Sequence, residues 1–436
     1  MSETICAVAT PPGRGGIGIV RISGPASQEV AQVLLGQVPP PRIATLVDFR
    51  TDEGETLDSG IALYFPSPAS YTGEDVLELQ GHGSPVALDR VVGYILEQGV
   101  RMANPGEFTE RAFRNDKLDL AQAEAVADLI ASGSAEAARA ATRSLAGEFS
   151  RCVHELDRKI LTLRIYVESA IDFAEEEVDF LGDQEQVDQL VAMQKLLERL
   201  IERSTAGLTM QLGMDVAIAG DPNVGKSSLL NQLLGEDRAI VTATAGTTRD
   251  TLHGELSLDG LPVRLTDTAG LRKSDDPIEV IGMKRAEAAL EVADCVLWVV
   301  DDADENGSPP KEYQAKSLVV RNKCDLTGKT PGGLGDDTFR TCALTGAGLD
   351  ELCEHLKQIA GFRTGIDAFA GRPRHIDSLK RARGALASAV DELSTRQGEL
   401  VAENLRVAHE CLGEIVGATT SDDLLGEIFA TFCIGK

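Results

Sequence analysis

The sequence predicts three fold classes in one multidomain chain: an α+β unit, then an all-α unit, with an α/β unit inserted into the second. Three observations predict it. Short β-like runs and turns fill the region up to residue 117. Apolar seams at helical spacing occupy two separate regions, one from Leu118 to residue 212 and one after Phe362. Between them, Gly220–Ser228 reads GDPNVGKSS, after a short apolar run and before a helical one.

The length of 436 residues suits about three domains. At 43% hydrophobic and 4% aromatic, the cores are aliphatic. No basic patch precedes an apolar segment near Met1, so no signal peptide is expected. No apolar run approaches the ~18 residues of a membrane span. Eight cysteines without a Cys-x-x-Cys pair argue against zinc and for reduced thiols in a cytoplasmic protein. A net charge of −27 repels nucleic acid at long range, so any RNA contact is local or supplied by a partner.

In the first region, Ile5–Ala9, Ile17–Ser23, Gly60–Phe65 and Val76–Gln80 read as strands, and Ala87–Gln98 as a helix. GRGGIG, Gly13–Gly18, matches the dinucleotide fingerprint, but that fingerprint must close a strand and open a helix. Here prolines precede it and a β-like run follows, so a loop near a ligand or partner is expected instead.

Helical spacing begins at Leu120, Ala123, Ala127 and Ile130. A longer seam follows at Phe149, Val153, Leu156, Ile160, Leu163 and Val167, with alternating steps of four and three. The acidic run Ala174–Phe180 reads as a solvated turn, and Gln184–Ala206 as another helix. After Phe362, Ile376, Leu379, Ala382, Leu386, Val390 and Leu393 form one face, and Leu400, Leu405, Ala408, Leu412 and Ile415 a second. Helices on both sides make the middle unit an insertion. The segment Arg363–Arg383 is the best local basic patch, read equally as a solvated helix face or an RNA contact.

The insertion carries the chemistry. Gly-x-x-x-x-Gly-Lys-Ser between a strand and a helix wraps backbone N–H groups around an anion, with Lys226 for the outer phosphates and the Ser227 hydroxyl for Mg²⁺. GTTRD offers Thr248 as a second hydroxyl. A hairpin turned by Asp259-Gly260 delivers DTAG, where Asp267 reaches the metal through water and the Gly270 N–H the γ-phosphate. NKCD chooses the base: Asp325 accepts the two N–H donors of guanine, and adenine would leave it unpaired. Lys323 is expected along the phosphate loop, and the Cys342–Leu344 stretch over the base. The full set is Asn223, Val224, Gly225, Lys226, Ser227 and Ser228; Thr242, Ala243, Thr244, Ala245, Gly246, Thr247 and Thr248; Asp267, Thr268, Ala269 and Gly270; Asn322, Lys323, Cys324 and Asp325; and Cys342, Ala343 and Leu344. Five motifs in order make a Ras-like P-loop G domain. Leu271 stands where Ras-like switches place a water-orienting Gln. Asp275, Asp276 and Glu279 are the acidic candidates downstream, and a solvated carboxylate is the competing reading of Glu279. With no arginine finger in view, a monovalent cation near Asn223 and Thr242–Thr248 could stabilise the charge on the phosphates.

End to end, the chain resembles the tRNA modification GTPase MnmE (TrmE) family. TPPGRGGIGIVRISG, SYTGEDVLELQGHG, NPGEFTERAF with KLDLAQAEAVADLI, the GTPase set and the FCIGK terminus carry the resemblance. It implies an N-terminal α+β folate-binding-like domain over 1–117 that also makes a homodimer. It implies a helical bundle domain over 118–212 and 363–436, and a G domain over 213–362. It implies a K⁺-dependent GTPase, with K⁺ at Asn223, Thr242, Thr244 and Thr247, Mg²⁺ at Ser227 and Thr248, and Glu279 acting on the water. Folate contacts map to Arg21, Glu78, Lys117 and Lys436, for 5,10-methylenetetrahydrofolate or 5-formyltetrahydrofolate. Cys433 matches the family's functional cysteine, although its neighbours Phe429, Phe432 and Ile434 equally suit a buried structural thiol. With the flavoprotein partner MnmG, such proteins modify carbon 5 of the wobble uridine of certain tRNAs. The alternative is a ribosome-assembly GTPase switch without covalent chemistry. This chain departs from the family's pattern at Ser84, Asp221, Thr244 and Cys342, the last in place of a Ser, and the stretch from Asp301 to Ser317 is short enough to have lost a helix.

Overall fold

A computed structural model describes residues 3–172, 184–235, 253–268, 287–304, 307–335, 337–362, 367–395, 397–418 and 421–435. The chain divides into two compact units. The first takes Met1–Ile130, Ser144–Leu197 and Asp377–Lys436; the second takes Ala131–Arg143 and Glu198–Ile376.

The first unit holds a six-stranded sheet of β1 (Ile5–Val8), β2 (Gly15–Ser23), β3 (Thr45–Arg50), β4 (Thr56–Phe65), β5 (Val76–Gly83) and β6 (Arg101–Met102), in the order β3-β4-β5-β2-β1-β6. All neighbours are antiparallel except β1 and β6. Alternation sets the buried face: Ala62 and Tyr64 of β4 are buried, Leu63 between them is half-buried, and Ile61 before them is exposed. Helices α1 (Ser27–Leu35) and α2 (Pro85–Glu97) share a core with this sheet through Leu34, Ile95, Ile22, Leu77 and Leu79. Pro85 at the first helical position suits an N–H that has no intrahelical partner. Gly15–Gly18 opens strand β2 and not a helix, which removes the dinucleotide reading. A side chain at Gly18 would fall 2.6 Å from Leu88, and one at Gly83 would fall 2.6 Å from the Gly15 carbonyl, so these glycines serve close approach.

The helices are α3 (Glu107–Arg114), α4 (Leu120–Ile130), α5 (Ala135–Leu145), α6 (Glu148–Asp172), α7 (Gln184–Leu212) and, after the second unit's sheet, α11 (Pro373–Ser394), α12 (Gly398–Val416) and α13 (Asp422–Ala430). The predicted seam of α6 is buried at all six positions and packs along α12, whose Leu405, Ala408, Leu412 and Ile415 are buried too. Each such Leu or Ile contributes about 1.5–3 kcal/mol. His409 Nδ1 meets Asp157 Oδ1 at 2.6 Å across the same pair. Helix α13, with Leu425, Ile428 and Phe429, and Phe432 in the turn after it pack onto Leu120 and Ala123 of α4. The acidic run at 174–180 lies outside the described residues.

The second unit is a seven-stranded sheet, in the order β12-β13-β11-β10-β7-β9-β8. Its strands are β7 (Met214–Gly220), β8 (His253–Leu258), β9 (Leu261–Asp267), β10 (Cys295–Asp301), β11 (Ser317–Asn322), β12 (Gly332–Gly335) and β13 (Thr338–Arg340). The inner five are parallel, and β8 and β12 run antiparallel at the edges. Its helices include α8 (Lys226–Leu233), α9 (Cys324–Thr327) and α10 (Leu349–Ile359). Burial on both faces explains the continuous apolar runs of β7 and β10. Asp259 and Gly260 at φ 51° and 103° make the predicted two-residue hairpin turn. Between β10 and β11 the described residues carry a 3₁₀ turn, Gln314–Lys316, and no longer helix, in line with the short spacing there.

Candidate nucleotide site

Strand β7, a loop and helix α8 place the phosphate-loop sequence at the C-terminal end of the central parallel strands, where open α/β sheets bind ligands. The loop's glycines are required by geometry. Gly220 has φ 137°, and a Cβ there would lie 2.1 Å from the Val299 carbonyl; Gly225 has φ 97°, and its Cβ would lie 2.3 Å from Asn322 Nδ2. Asn223 also takes a positive φ, 64°, and is exposed. Lys226 folds back and donates to the Gly220 and Asp221 carbonyls at 2.9 and 2.8 Å. Burial pushes its pKa down, against the upward pull of Asp267 and Asp221. A triphosphate would give this ammonium a stronger partner than two carbonyls.

Ser227 Oγ donates to Asp267 Oδ2 at 3.2 Å. The other oxygen, Asp267 Oδ1, is buried and has no hydrogen-bond partner. A buried carboxylate oxygen left unpaired is costly. With a serine hydroxyl beside it, this is a hard oxygen donor set that fits Mg²⁺. Thr268 fixes the strand end by donating from its N–H and Oγ1 to the Ile218 carbonyl at 3.0 and 2.8 Å.

The base side is built around Asn322, which is 2% exposed. Its Nδ2 donates to the Val224 carbonyl at 2.9 Å, and its Oδ1 accepts from the Ala343 N–H at 3.0 Å. One amide thus ties the phosphate loop to the base-closing loop. Lys323 departs from expectation: its ammonium pairs with Asp301 at 2.9 Å, an acid at the end of β10 that sequence reading passed over. Asp325 is exposed, and its Oδ1 accepts from Cys342 Sγ at 3.3 Å. Leu326 and Leu344 flank it at 75% and 77% exposure, an apolar rim suited to a flat heterocycle. Within the Cys342–Leu344 stretch expected over the base, the Cys342 N–H is given to the Ala347 carbonyl and the Ala343 N–H to Asn322. Thr242, Ala243, Thr244, Ala245, Gly246, Thr247, Thr248, Ala269, Gly270, Leu271, Asp275, Asp276, Glu279 and Lys436 lie outside the described residues.

In the first unit, Arg21 on β2 faces Glu78 on β5 and pairs with it at 2.9 Å. The guanidinium lies 5.5 Å from the Tyr71 ring and 5.7 Å from the Phe108 ring, and it donates to the Gly435 carbonyl at 3.4 Å. Lys117 Nζ donates to the Pro68 carbonyl at 3.0 Å. An accepting carboxylate, a donating guanidinium and two aromatic rings thus stand together at this end of β2. Cys433 is exposed, while Phe429 and Phe432 are buried, so the thiol is no part of the core they form. Its carbonyl accepts from the Gly106 N–H at 3.4 Å. The basic segment is partly neutralised, since Arg381 pairs with Asp377 and Glu414.

Comparison with known proteins adds a second line. The family model of the GTP-binding protein TrmE N-terminus matches residues 4–117, and that of the MnmE helical domain matches 120–433. The tRNA modification GTPase MnmE of Stutzerimonas stutzeri (strain A1501) is 50% identical over 450 residues, covering 100% of this chain and 99% of its own. The protein of the same name from Aeromonas salmonicida (strain A449) is 51% identical over 451 residues, covering 100% of both chains. Among solved structures, the G domain of the T. maritima FeoB iron transporter is 28% identical, with a TM-score of 0.26, covering 34% of this chain and 98% of its own.

Proposed function

We propose a function from one fact: this chain belongs to the MnmE family of tRNA modification GTPases. It is a GTPase that acts in tRNA modification. The finer reading is ours: a K⁺-dependent GTP hydrolase that works with the FAD protein MnmG on carbon 5 of the wobble uridine, drawing on a folate one-carbon unit. In this reading the chain has three parts, 1–117, 118–212 with 363–436, and 213–362, and forms a homodimer through the first.

The chain's own residues do the following. The N–H groups at the start of α8 and Lys226 bind the phosphates. Asp325 selects guanine over adenine and is held by Cys342, while Asn322 ties the phosphate loop to the base-closing loop. Ser227 and Thr248 would hold Mg²⁺, with Asp267 reaching it through water, and the ion would supply charge neutralisation at the phosphates. The exposed amide of Asn223, with Thr242, Thr244 and Thr247, offers hard oxygen donors for K⁺, and Glu279 orients the water. Arg21, Glu78, Lys117 and Lys436 hold the folate, and Cys433, exposed at the edge of the first unit, is available to chemistry.

The observation that carries the hydrolase reading is the orphaned Asp267 oxygen beside Ser227. The test is the rate of GTP hydrolysis in K⁺ against Na⁺, with Glu279→Ala alongside. K⁺ should raise the rate sharply, and Glu279→Ala should lose turnover while still binding GTP. Equal rates in the two salts, or wild-type turnover in the variant, would remove the cation cage or the glutamate's role. Mass spectrometry of tRNA nucleosides from a strain lacking the gene tests the modification, and unchanged wobble uridines would overturn it.

A further inference from the structure

Two cysteines, Cys324 and Cys342, neighbour Asp325 at the proposed guanine site, the first beside it in the chain and the second hydrogen-bonded to it. Cys324 opens α9 and Cys342 begins the base-closing loop; both are buried and unpaired with any disulfide. The Cys324 N–H donates to the Thr341 carbonyl at 3.2 Å, one residue before Cys342. Ordinary covalent geometry then sets the two α carbons about 5–7 Å apart. A disulfide spans roughly 4.4–6.8 Å between α carbons. Asp325 stands at the centre of the pair. It follows Cys324 in the chain and accepts a hydrogen bond from Cys342 Sγ at 3.3 Å. A serine at 342 could make that hydrogen bond, but it could not be oxidised.

We propose that Cys324 and Cys342 form a two-thiol redox site in which oxidation to a disulfide displaces Asp325 and closes the pocket to guanine nucleotides, while bound nucleotide protects the pair. This rests on the guanine reading of Asp325. The oxidant is a hydroperoxide. The Cys342 sulfur passes its proton to the Asp325 carboxylate and attacks the outer peroxide oxygen. The O–O bond breaks, an alkoxide leaves and takes the proton to become an alcohol, and Cys342 becomes a sulfenic acid. The Cys324 sulfur then attacks the oxidised sulfur, the S–O bond breaks, and hydroxide leaves with the Cys324 proton as water. Two thiols and one hydroperoxide give one disulfide, one alcohol and one water, with two electrons passing from sulfur to oxygen. Burial pushes the Cys324 thiol above its usual range, and Cys342, Asp302 and Asp325 push the same way. The resolving step therefore requires Cys324 to give up its proton as it attacks, and that proton leaves with the hydroxide as water. An S–S bond of about 2.05 Å takes the Cys342 donor away from Asp325 and drags the loop that follows it.

The test uses the full chain, treated with tert-butyl hydroperoxide with and without saturating GDP. The samples are alkylated, digested with trypsin and analysed by mass spectrometry, and affinity for a fluorescent GDP analogue is measured before and after dithiothreitol. The expected products are the peptides spanning 324–329 and 341–357 joined, with fragment ions placing the bond at Cys342 and not Cys353. Affinity should fall at least tenfold, return on reduction, and fall more slowly when GDP is present. Cys324→Ala and Cys342→Ser, whatever their reduced affinities, should show an oxidised-to-reduced ratio of one. No cross-link while Cys433 is fully oxidised, or a cross-link that leaves affinity unchanged, overturns the proposal. If reduced wild-type chain binds no guanine nucleotide at all, it is the guanine reading of Asp325 that falls, and the switch with it.

Discussion

Asn322→Ala tests whether one buried amide holds the two halves of the nucleotide site together. The substitution leaves the Val224 carbonyl and the Ala343 N–H without partners, both in buried surroundings. Each orphaned group costs about 1–3 kcal/mol, so the second unit should lose about 2–6 kcal/mol in all. The assay is a urea titration followed by tryptophan fluorescence. Trp298 is the chain's single tryptophan and sits on β10, so the signal reports this sheet alone. Asn322→Asp is the companion variant. It keeps an acceptor for Ala343 but sets a carboxylate against the Val224 carbonyl, and should lose at least as much. A loss below about 0.5 kcal/mol for Asn322→Ala, the size expected of an ordinary surface change, would refute the clamp.

Other perturbations have equally definite outcomes. Burial pushes the Glu107 carboxyl up, but Arg101, the Asn104 N–H and Arg111 overrule it and hold the pKa down at about 2. Its folded value lies below its unfolded one, so its contribution of about 3 kcal/mol is present above pH ~4.5 and lost as pH falls toward ~2. Thermal scans between those limits should show a steeper fall for wild type than for Glu107→Gln; parallel curves would contradict this. Gly225→Ala sets a methyl 2.3 Å from Asn322 Nδ2 at φ 97°, and should weaken GDP-analogue binding at least tenfold, which titration will show. Asp267→Ala removes an unpaired buried oxygen and should abolish the Mg²⁺ dependence of GTP affinity, measured by titration with and without EDTA. Gly384→Ala, exposed in mid-α11 with nothing near its added carbon, should raise stability by about 0.5–1 kcal/mol in denaturant titration.

Much of this was legible because short-range rules fixed it. The phosphate loop shows in sequence because only glycine tolerates φ 137° against the Val299 carbonyl. The Asp259-Gly260 turn shows because a type I′ turn needs two positive φ values. The α6 seam shows because its partner helix buries one face only. What did not show depends on distant segments. Helix α1 and strand β3 went unread: α1 has only a short apolar stripe, and β3 leaves Leu46 80% exposed. The pairing of Lys323 with Asp301 and the use of the Ala343 N–H by Asn322 are tertiary outcomes with no local signature. Helix α5 packs Ala137 and Ala140 into the core of the second unit, a placement that alanine-rich composition cannot announce.

The stacking of α13 on α4 bears on how the chain is born. At ordinary elongation rates the roughly 300 residues between those two helices take about 15–60 s to synthesise. Throughout that interval Leu120 and Ala123 wait without Leu425, Phe429 and Phe432 to cover them. The nascent protein therefore presents a sticky, half-made surface near its front while its middle is already folding. That places the demand for a chaperone early in translation, and makes pauses late in the message the ones most apt to cause aggregation.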